Sequence, residues 1–273
     1  GHRASLRVPL WVEPEPFDWR DTPLYMIMTD RFADGDPANT PAPTPGADPS
    51  ADWRGGDLAG VTQAIEDGIF DDLGVRAIWF SPFHQNPTMG HLGSDGVHSV
   101  TGYHGYWPVD PRKVDDRLGG DASLEALVKA AHARGIRIMM DFVVNHVYEA
   151  HPYFQDHPEW FNTGCVCGEP ACGWTEHRLD CLFASYMPDV NWLVPAAAEA
   201  MVADALWWLE RFDLDGIRVD AVKHVPDLAI GNLSTRVHEQ VEVGGSEVFL
   251  LGETAMGWGG HDVANSLADY ETI

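Results

Sequence analysis

Three apolar stretches of this chain each end in an acid, an amide or an imidazole, and this repeated arrangement strongly limits the possible folds. The stretches are residues 136–146, 216–224 and 248–254. Each begins as a buried strand and finishes in polar side chains at its carboxyl end. Parallel strands of a (β/α) barrel are buried and carry their functional residues at this end. The pattern therefore predicts an α/β fold with an active site at the carboxyl rim of a parallel sheet.

The second stretch also predicts which side chains face that rim. Strand alternation over residues 216–220 places Arg218 and Asp220 on one face. A buried unpaired charge is costly, so this face must line a cleft or form an ion pair. The arginine favours the ionised form of the acid, as a carboxylate nucleophile requires. A purely structural ion pair at the end of a strand is the alternative.

The polar ends form ordered motifs that resemble those of the α-amylase family of glycoside hydrolases (glycoside hydrolase family 13). The motifs are Asp141-x-x-x-Asn145-His146, Gly216-x-Arg218-x-Asp220-x-x-Lys223-His224 and Gly252-Glu253. The resemblance covers nearly the whole chain and corresponds to the N-terminal part of the catalytic domain. It implies a (β/α)8 TIM barrel with a domain, called domain B, inserted after the third strand.

The number of strands is smaller than a complete barrel needs. Strands are predicted near residues 24, 76, 136, 216 and 248. Five parallel strands leave two open edges, so we expect a barrel truncated to about five strands in a piece of a longer chain that is inactive alone. Helices are predicted over 58–73, 121–134, 195–211 and within 226–242, with Asp121 as an N-cap and Gly135 ending its helix.

The same reading divides the chain into four parts. Residues 1–20, rich in Pro and Trp, are expected to be a linker or the end of a preceding domain. Residues 21–146 form the first part of the barrel and residues 147–190 the inserted domain B. Residues 191–273 continue the barrel, without its strands six to eight.

The resemblance implies a retaining hydrolase of α-1,4-glucosidic bonds in starch or maltooligosaccharides. Asp220 would attack the sugar, and Glu253 would act as acid and then base, with the two carboxyl groups about 5–5.5 Å apart. Arg218 would keep Asp220 charged. Glu253 follows an apolar strand without an adjacent cation, so its pKa is expected to be raised. A third acid of the family would lie beyond residue 273.

Further residues are implied to contact the sugar. The resemblance assigns Tyr106 as a stacking platform, since pyranose C–H faces pack on aromatic rings. It assigns hydroxyl contacts to His104 and His146, and the leaving-group side to Lys223 and His224.

Two calcium sites are implied by the same resemblance. The first would use Asp34, Asp36, Asn39, Asp57 and a carbonyl near Gly55, oxygen donors that suit a hard cation. An acidic loop of Asx turns without metal is the alternative. The second would use Asn145, Asp189 and the backbone carbonyl of His224.

All four cysteines lie in the predicted domain B. Cys165, Cys167, Cys172 and Cys181 lack paired C-x-x-C knuckles, although a zinc site with nearby His177 is an open alternative. Two disulfides in a secreted protein are favoured. Cys165 and Cys167 are too close in sequence to bond each other, which leaves two connectivities.

Charge and hydropathy narrow the class of partner. The net charge of −25 argues against nucleic acid or an anionic membrane as partner. No run approaches 18 apolar residues. We expect an extracellular or periplasmic protein whose signal peptide lies upstream. The sequence does not indicate an oligomeric state. A glucanotransferase or oligosaccharide α-glucosidase of the same family, and a catalytically silent sugar-binding or partner barrel, remain alternatives.

Overall fold

A computed structural model describes residues 8, 10–12, 17–93, 95–244 and 246–254. The strands are β1 (Leu24–Ile27), β2 (Ala77–Phe80), β3 (His91–Leu92), β4 (Ser99–Val100), β5 (Arg137–Val143), β6 (Phe161–Asn162), β7 (Asp189–Val190), β8 (Gly216–Asp220) and β9 (Phe249–Gly252). No helix within the described ranges has the length and apolar character needed to cross a membrane.

Five strands form one parallel sheet in the order β1-β2-β5-β8-β9, which follows the chain. The five strands predicted from the sequence are therefore confirmed, with small shifts of their ends. Every residue of β5 and β8 is buried, as expected for central strands covered on both faces. Their register places Asp141 beside Arg218 and Val143 beside Asp220. The polar side chains of two motifs thus meet on one face.

The helices are α1 (Leu58–Glu66), α2 (Ile69–Asp72), α3 (Gly120–Ala133), α4 (Pro152–Asp156), α5 (Pro195–Phe212) and α6 (Asp227–Val241). The single helix predicted over 58–73 is wrong, because Gly68 adopts φ 81° and divides it into α1 and α2. Asp121 is not an N-cap, since α3 already begins at Gly120. The predicted end of that helix at Gly135 is confirmed by its φ of 68°.

The core lies between the sheet and the long helices. α1 and α3 pack against each other, as do α5 and α6, and their apolar faces cover the sheet. Trp208 on α5 is fully buried and donates from its indole nitrogen to the Pro111 carbonyl at 2.9 Å. The core thereby fixes the strands whose carboxyl ends carry the motifs.

Residues 147–190 lie between β5 and α5 and contain only short elements. Two disulfides, Cys165–Cys172 and Cys167–Cys181, join four of their residues. The preference for disulfides is confirmed, with one of the two predicted connectivities. These cysteines do not bind zinc, because all four are paired in disulfides and none is free to act as a ligand.

The segment before β1 packs beneath the amino ends of the central strands. The Trp11 indole donates to Asp215, the residue before β8, at 3.2 Å. Trp19 stacks on Phe249, the first residue of β9, with ring centroids 4.8 Å apart. This end of the sheet is opposite the end that carries the motifs.

Candidate active site

Arg218 lies at the centre of the site and contacts three carboxylates. Its Nη1 lies 2.8 Å from Asp141 Oδ1 and 2.5 Å from Asp220 Oδ1, and its Nη2 lies 2.8 Å from Glu253 Oε1. β5, β8 and β9 each supply one acid at or near their carboxyl ends. The structure therefore brings together the two predicted catalytic acids, 33 positions apart in the chain.

Asp141 is a site residue that the sequence motif contained but to which no role was assigned. Its fully buried carboxylate accepts hydrogen bonds from Arg218, from the Tyr106 hydroxyl at 2.8 Å and from the Trp79 indole at 3.2 Å. Its position within an apolar strand was the available signal, because a buried acid needs partners.

Burial dominates the charge state of this cluster. Burial, and then the neighbouring Asp141 carboxylate, raises the pKa of Asp220 above its ordinary value, while Arg218 opposes the change. Burial also raises the pKa of Asp141, again against Arg218. Arg218 acts on Asp220 in the direction that the sequence predicts, but burial and Asp141 outweigh its effect on the pKa of Asp220. Three carboxylates share one guanidinium, so the cluster favours retention of a proton.

Glu253 differs from its sequence prediction, which placed no cation beside it. Arg218 forms an ion pair with one of its oxygens, and the Ala221 backbone N–H donates to the other at 3.0 Å. Ala221 directly follows the strand and has φ 52°, in the left-handed region. This turn aims its N–H at Glu253, which remains about 40% exposed in its side chain.

A cavity of about 280 Å³ opens over these acids. Its lining joins charged groups to aromatic and apolar ones, namely Tyr106, Trp107, His146, Phe183, Met187, Arg218, Asp220, Ala221 and Glu253. Such a lining suits a sugar ring, whose hydroxyls need polar partners and whose C–H faces pack on rings.

Two of the predicted sugar contacts line this cavity. Tyr106 is one, and its hydroxyl is held by Asp141. His146 is the other. Its Nε2 donates to the Tyr106 carbonyl at 3.0 Å, and its buried Nδ1 has no hydrogen-bond partner among the described residues. Burial lowers the pKa of His146 to about 4, so the ring is neutral and Nδ1 can accept from a hydroxyl.

The other three predicted contacts lie outside the cavity lining within the described residues. His104 Nδ1 accepts from the Tyr106 backbone N–H at 3.0 Å, and burial lowers the pKa of His104 to about 4. Lys223 is buried. His224 Nδ1 lies 2.9 Å from the Arg178 carbonyl, a contact that the sequence did not indicate.

The loop predicted to hold the first calcium ion gathers its five residues. Asp57 caps α1 and accepts hydrogen bonds from Gly35, Asp36, Asn39 and Gly60. A Cβ atom at Gly55 would lie 3.1 Å from Asp34 Oδ2. Asn39 Oδ1 is buried and unpartnered among the described residues. Each Asp57 oxygen already accepts two N–H donors, so Asn39 Oδ1 is an oxygen of this loop that still needs a partner, which a hard cation would supply.

The second predicted calcium site is assembled in part. Val190 N–H donates to the Asn145 carbonyl at 2.8 Å, which brings Asn145 beside Asp189. Asn145 Oδ1 is buried without a partner in the described ranges, and Asp189 accepts from Asn162 at 2.6 Å. Burial raises the pKa of Asp189 to about 8. A buried acid beside an orphaned amide oxygen fits a cation.

The three aspartates of the first site are not arranged as a metal-binding group by themselves. Across the described residues, no group of three or more His, Cys, Asp or Glu side chains is arranged to hold a metal.

Comparison with known proteins identifies the family. The sequence profile described as "Alpha amylase, catalytic domain" matches residues 26–164. The cyclomaltodextrin glucanotransferase of Paenibacillus macerans is 31% identical over 250 residues, which cover 83% of this chain and 35% of that protein. The chain spans about a third of the length of such curated relatives.

Solved structures have the same fold. The alpha-amylase of Geobacillus thermoleovorans, solved with acarbose, superimposes with a TM-score of 0.70 at 30% identity, over 88% of this chain and 48% of that one. The gamma-CGTase of the alkalophilic Bacillus clarkii gives 0.71 at 29% identity, over 86% and 35%. The parallel sheet described above is thus part of an alpha-amylase (β/α)8 catalytic domain, and the predicted fold class is confirmed. With its motifs at the carboxyl ends of the strands, this chain belongs to the alpha-amylase family of glycoside hydrolases and related glucanotransferases.

Proposed function

We propose that the protein cleaves α-1,4-glucosidic bonds of starch or maltooligosaccharides with retention of configuration. The observation that carries this proposal is the meeting of Asp220 and Glu253 on Arg218 beneath one cavity. Two carboxyl groups on either side of a sugar's anomeric carbon are what retaining hydrolysis requires. The aromatic lining supplies a surface for the pyranose ring.

In the first step an Asp220 oxygen attacks C1 and forms a glycosyl ester as the bond from C1 to the leaving oxygen breaks. Glu253 donates its proton to that oxygen. In the second step Glu253 removes a proton from a water or a sugar hydroxyl, whose oxygen attacks C1 and releases Asp220 as a carboxylate. Glu253 is thereby protonated again, and both residues return to their starting forms.

The two proposed roles require different protonation states of the two acids. Asp220 reacts as a carboxylate, and Glu253 supplies the proton to the leaving oxygen. Arg218 Nη1 lies 2.5 Å from Asp220 and favours its ionised form, and the same nitrogen is held by Asp141 at 2.8 Å.

Transfer to a sugar is the second candidate function, alongside hydrolysis. Eight similar proteins are named cyclomaltodextrin glucanotransferases, and three similar structures are named alpha-amylases. The chemistry of the first step is shared, and only the acceptor in the second step differs. The ratio of transfer products to reducing ends from maltooligosaccharides distinguishes the two.

Calcium is proposed as a structural ion at two places. Asp34, Asp36, Asn39 and Asp57, with a carbonyl near Gly55, would hold one ion. Asn145, Asp189 and the His224 carbonyl would hold another, joining residues 147–190, proposed as the inserted domain B, to the barrel. Removal of calcium with a chelator should lower the melting temperature of the full-length protein, and Asn39→Ala should reduce that effect.

An extracellular location is proposed from the two disulfides, which persist in oxidising compartments. The α-glucan is proposed as the principal partner. The acidic net charge of −25 disfavours nucleic acid and anionic membranes.

The decisive experiment measures reducing ends released from soluble starch by the full-length protein. Asp220→Asn should lower kcat by at least about 10⁴-fold while the melting temperature stays near wild type. Asp213→Asn, on the turn before β8, is the matched control and should keep its activity. Wild-type turnover in Asp220→Asn would reject the assignment.

A further inference from the structure

Arg178 lies in the disulfide-bonded segment and grips the turn that follows Asp220. Its Nη1 donates to the Lys223 carbonyl at 2.8 Å, and its own carbonyl accepts from His224 Nδ1 at 2.9 Å. The carbonyl oxygen can only accept, so Nδ1 carries the proton and Nε2 of the neutral ring is left as an acceptor. Arg178 thus fixes both the backbone and the imidazole tautomer of this turn.

The gripped turn is directly connected to the two catalytic acids. It begins at Ala221, whose backbone N–H donates to Glu253 at 3.0 Å and whose N-terminal neighbour is Asp220. The His224 N–H in turn donates to the Ala221 carbonyl at 2.8 Å. A displacement at residues 223–224 therefore moves the N–H that orients Glu253.

Arg178 is itself held rigidly in the chain. Cys172 and Cys181 lie six residues before it and three after it, and each is bonded to a different earlier cysteine. The Leu182 N–H donates to the Cys165 carbonyl at 2.9 Å, and Cys167 N–H donates to the Leu182 carbonyl at 2.8 Å. The side chain of Arg178 is only 20% exposed. A long side chain on such a frame can position its partner.

We infer that Arg178 is a positioning residue that sets the leaving-group side of the site by holding residues 222–224. This inference rests on the proposed function and names a residue outside the motifs that acts through Lys223, His224 and Glu253. Arg178 does not line the cavity, so its effect on the acids is assigned to its two contacts with residues 223 and 224. Its remaining ion pair, at 3.8 Å, is with Asp227, whose side chain is 57% exposed. A displacement of residues 222–224 should affect the nucleophile less, because Asp220 forms an ion pair with Arg218 of the same strand.

Two substrates that differ only in their leaving group test the inference in the full-length protein. A maltooligosaccharide needs sugars bound on the leaving-group side and a proton from Glu253. Maltosyl fluoride has the same donor sugars, but its fluoride needs neither. Arg178→Gln should lower kcat/KM for the maltooligosaccharide by about tenfold or more, with maltosyl fluoride changed by less than about twofold.

Arg236→Gln is the matched control, since Arg236 forms a surface ion pair with Glu199 on α5. It should leave both substrates unchanged. A parallel loss on both substrates in Arg178→Gln, or no loss on either, would overturn the inference. If Arg178→Gln does not fold, Arg178→Met decides by the same comparison and the same criteria, because methionine keeps apolar length but has no donor for the Lys223 carbonyl.

Failure of the proposed function gives a different result. Asp220→Asn should lose turnover of both substrates. If that variant keeps turning both over, the proposed function fails, whatever the selectivity of the Arg178 variants.

Discussion

Arg218 and Asp141 form a buried ion pair in which one guanidinium nitrogen contacts both carboxylate oxygens, at 2.8 and 3.0 Å. The two residues are neighbours across β5 and β8, and both are less than a tenth exposed. The pair fixes the guanidinium from which the second contact, to Asp220, is made. Asp141 therefore orients the guanidinium that contacts the nucleophile.

Replacement of this carboxylate should be costly. Asp141→Ala removes the acceptor of three buried donors, on Arg218, Tyr106 and Trp79, so the free energy of unfolding should fall by about 3–5 kcal/mol. Urea unfolding measures this. Tyr106→Phe is the graded comparison, since it removes only the hydroxyl hydrogen bond to Asp141 and should cost about 1 kcal/mol. Equal losses in the two variants would contradict the central role of the ion pair.

The disulfides should differ slightly in their contribution to stability. The bond between Cys167 and Cys181 spans 14 positions and that between Cys165 and Cys172 spans 7. Loop-closure entropy predicts a loss of about 3 kcal/mol for the first pair changed to serine and about 2.5 kcal/mol for the second. Denaturant unfolding of the two double variants checks both values. Because Cys181 lies only three residues after Arg178, the double variant of Cys167 and Cys181 should also lose more turnover of maltooligosaccharides than that of Cys165 and Cys172.

The strands of the sheet were predictable from sequence because their apolar runs end in polar residues. Residues 136–143 form a nearly continuous apolar run, which is typical of a parallel strand buried on both faces. Of the site, those residues that belong to the sequence motifs were predictable. Asp220 and Arg218 share a strand face by simple alternation, so their contact follows from spacing alone.

Other features depend on directions that spacing does not contain. Glu253 is attached to its strand in sequence, but its ion pair with Arg218 depends on the side-chain direction beyond the strand end. Arg178 lies in an irregular insertion held by disulfides, where no periodicity relates it to Lys223. Gly68 is a recognisable helix breaker, but the helical pattern of apolar residues on both sides of it led to the prediction of one continuous helix.

A buried histidine should make the protein sensitive to acid. Burial lowers the pKa of His84 to about 3, with a smaller effect from His151. The unfolded state gains a proton near pH 6.5 and the folded state does not, so this stability is present above pH 6.5 and lost as the pH falls toward 3. Between pH 6.5 and 4 the loss is about 3 kcal/mol.

His84→Phe should remove this part of the acid sensitivity, because the ring packs against Phe142 and Trp208 and phenylalanine fits such surroundings. Urea unfolding at pH 7 and pH 4 compares the variant with wild type. His151→Phe serves as a second variant, since burial lowers the pKa of His151 to about 4. If wild type and His84→Phe lose equal stability at pH 4, this histidine is not the group responsible.

The amino end of β8 depends on Asp215, which accepts from three donors. They are the Ile138 N–H at 2.8 Å, His132 Nε2 at 2.8 Å and the Trp11 indole at 3.2 Å. Asp215→Asn turns an amide NH₂ toward part of this donor set, so a buried N–H loses its acceptor and stability should fall by about 1–3 kcal/mol. Thermal unfolding measures the change. Asp213→Asn, two residues earlier at φ 58° and 44% exposed, should stay within about 0.5 kcal/mol, because asparagine tolerates the left-handed region. Equal stability of the two variants would show that the anchoring of residues 10–12 beneath the sheet does not depend on the Asp215 carboxylate.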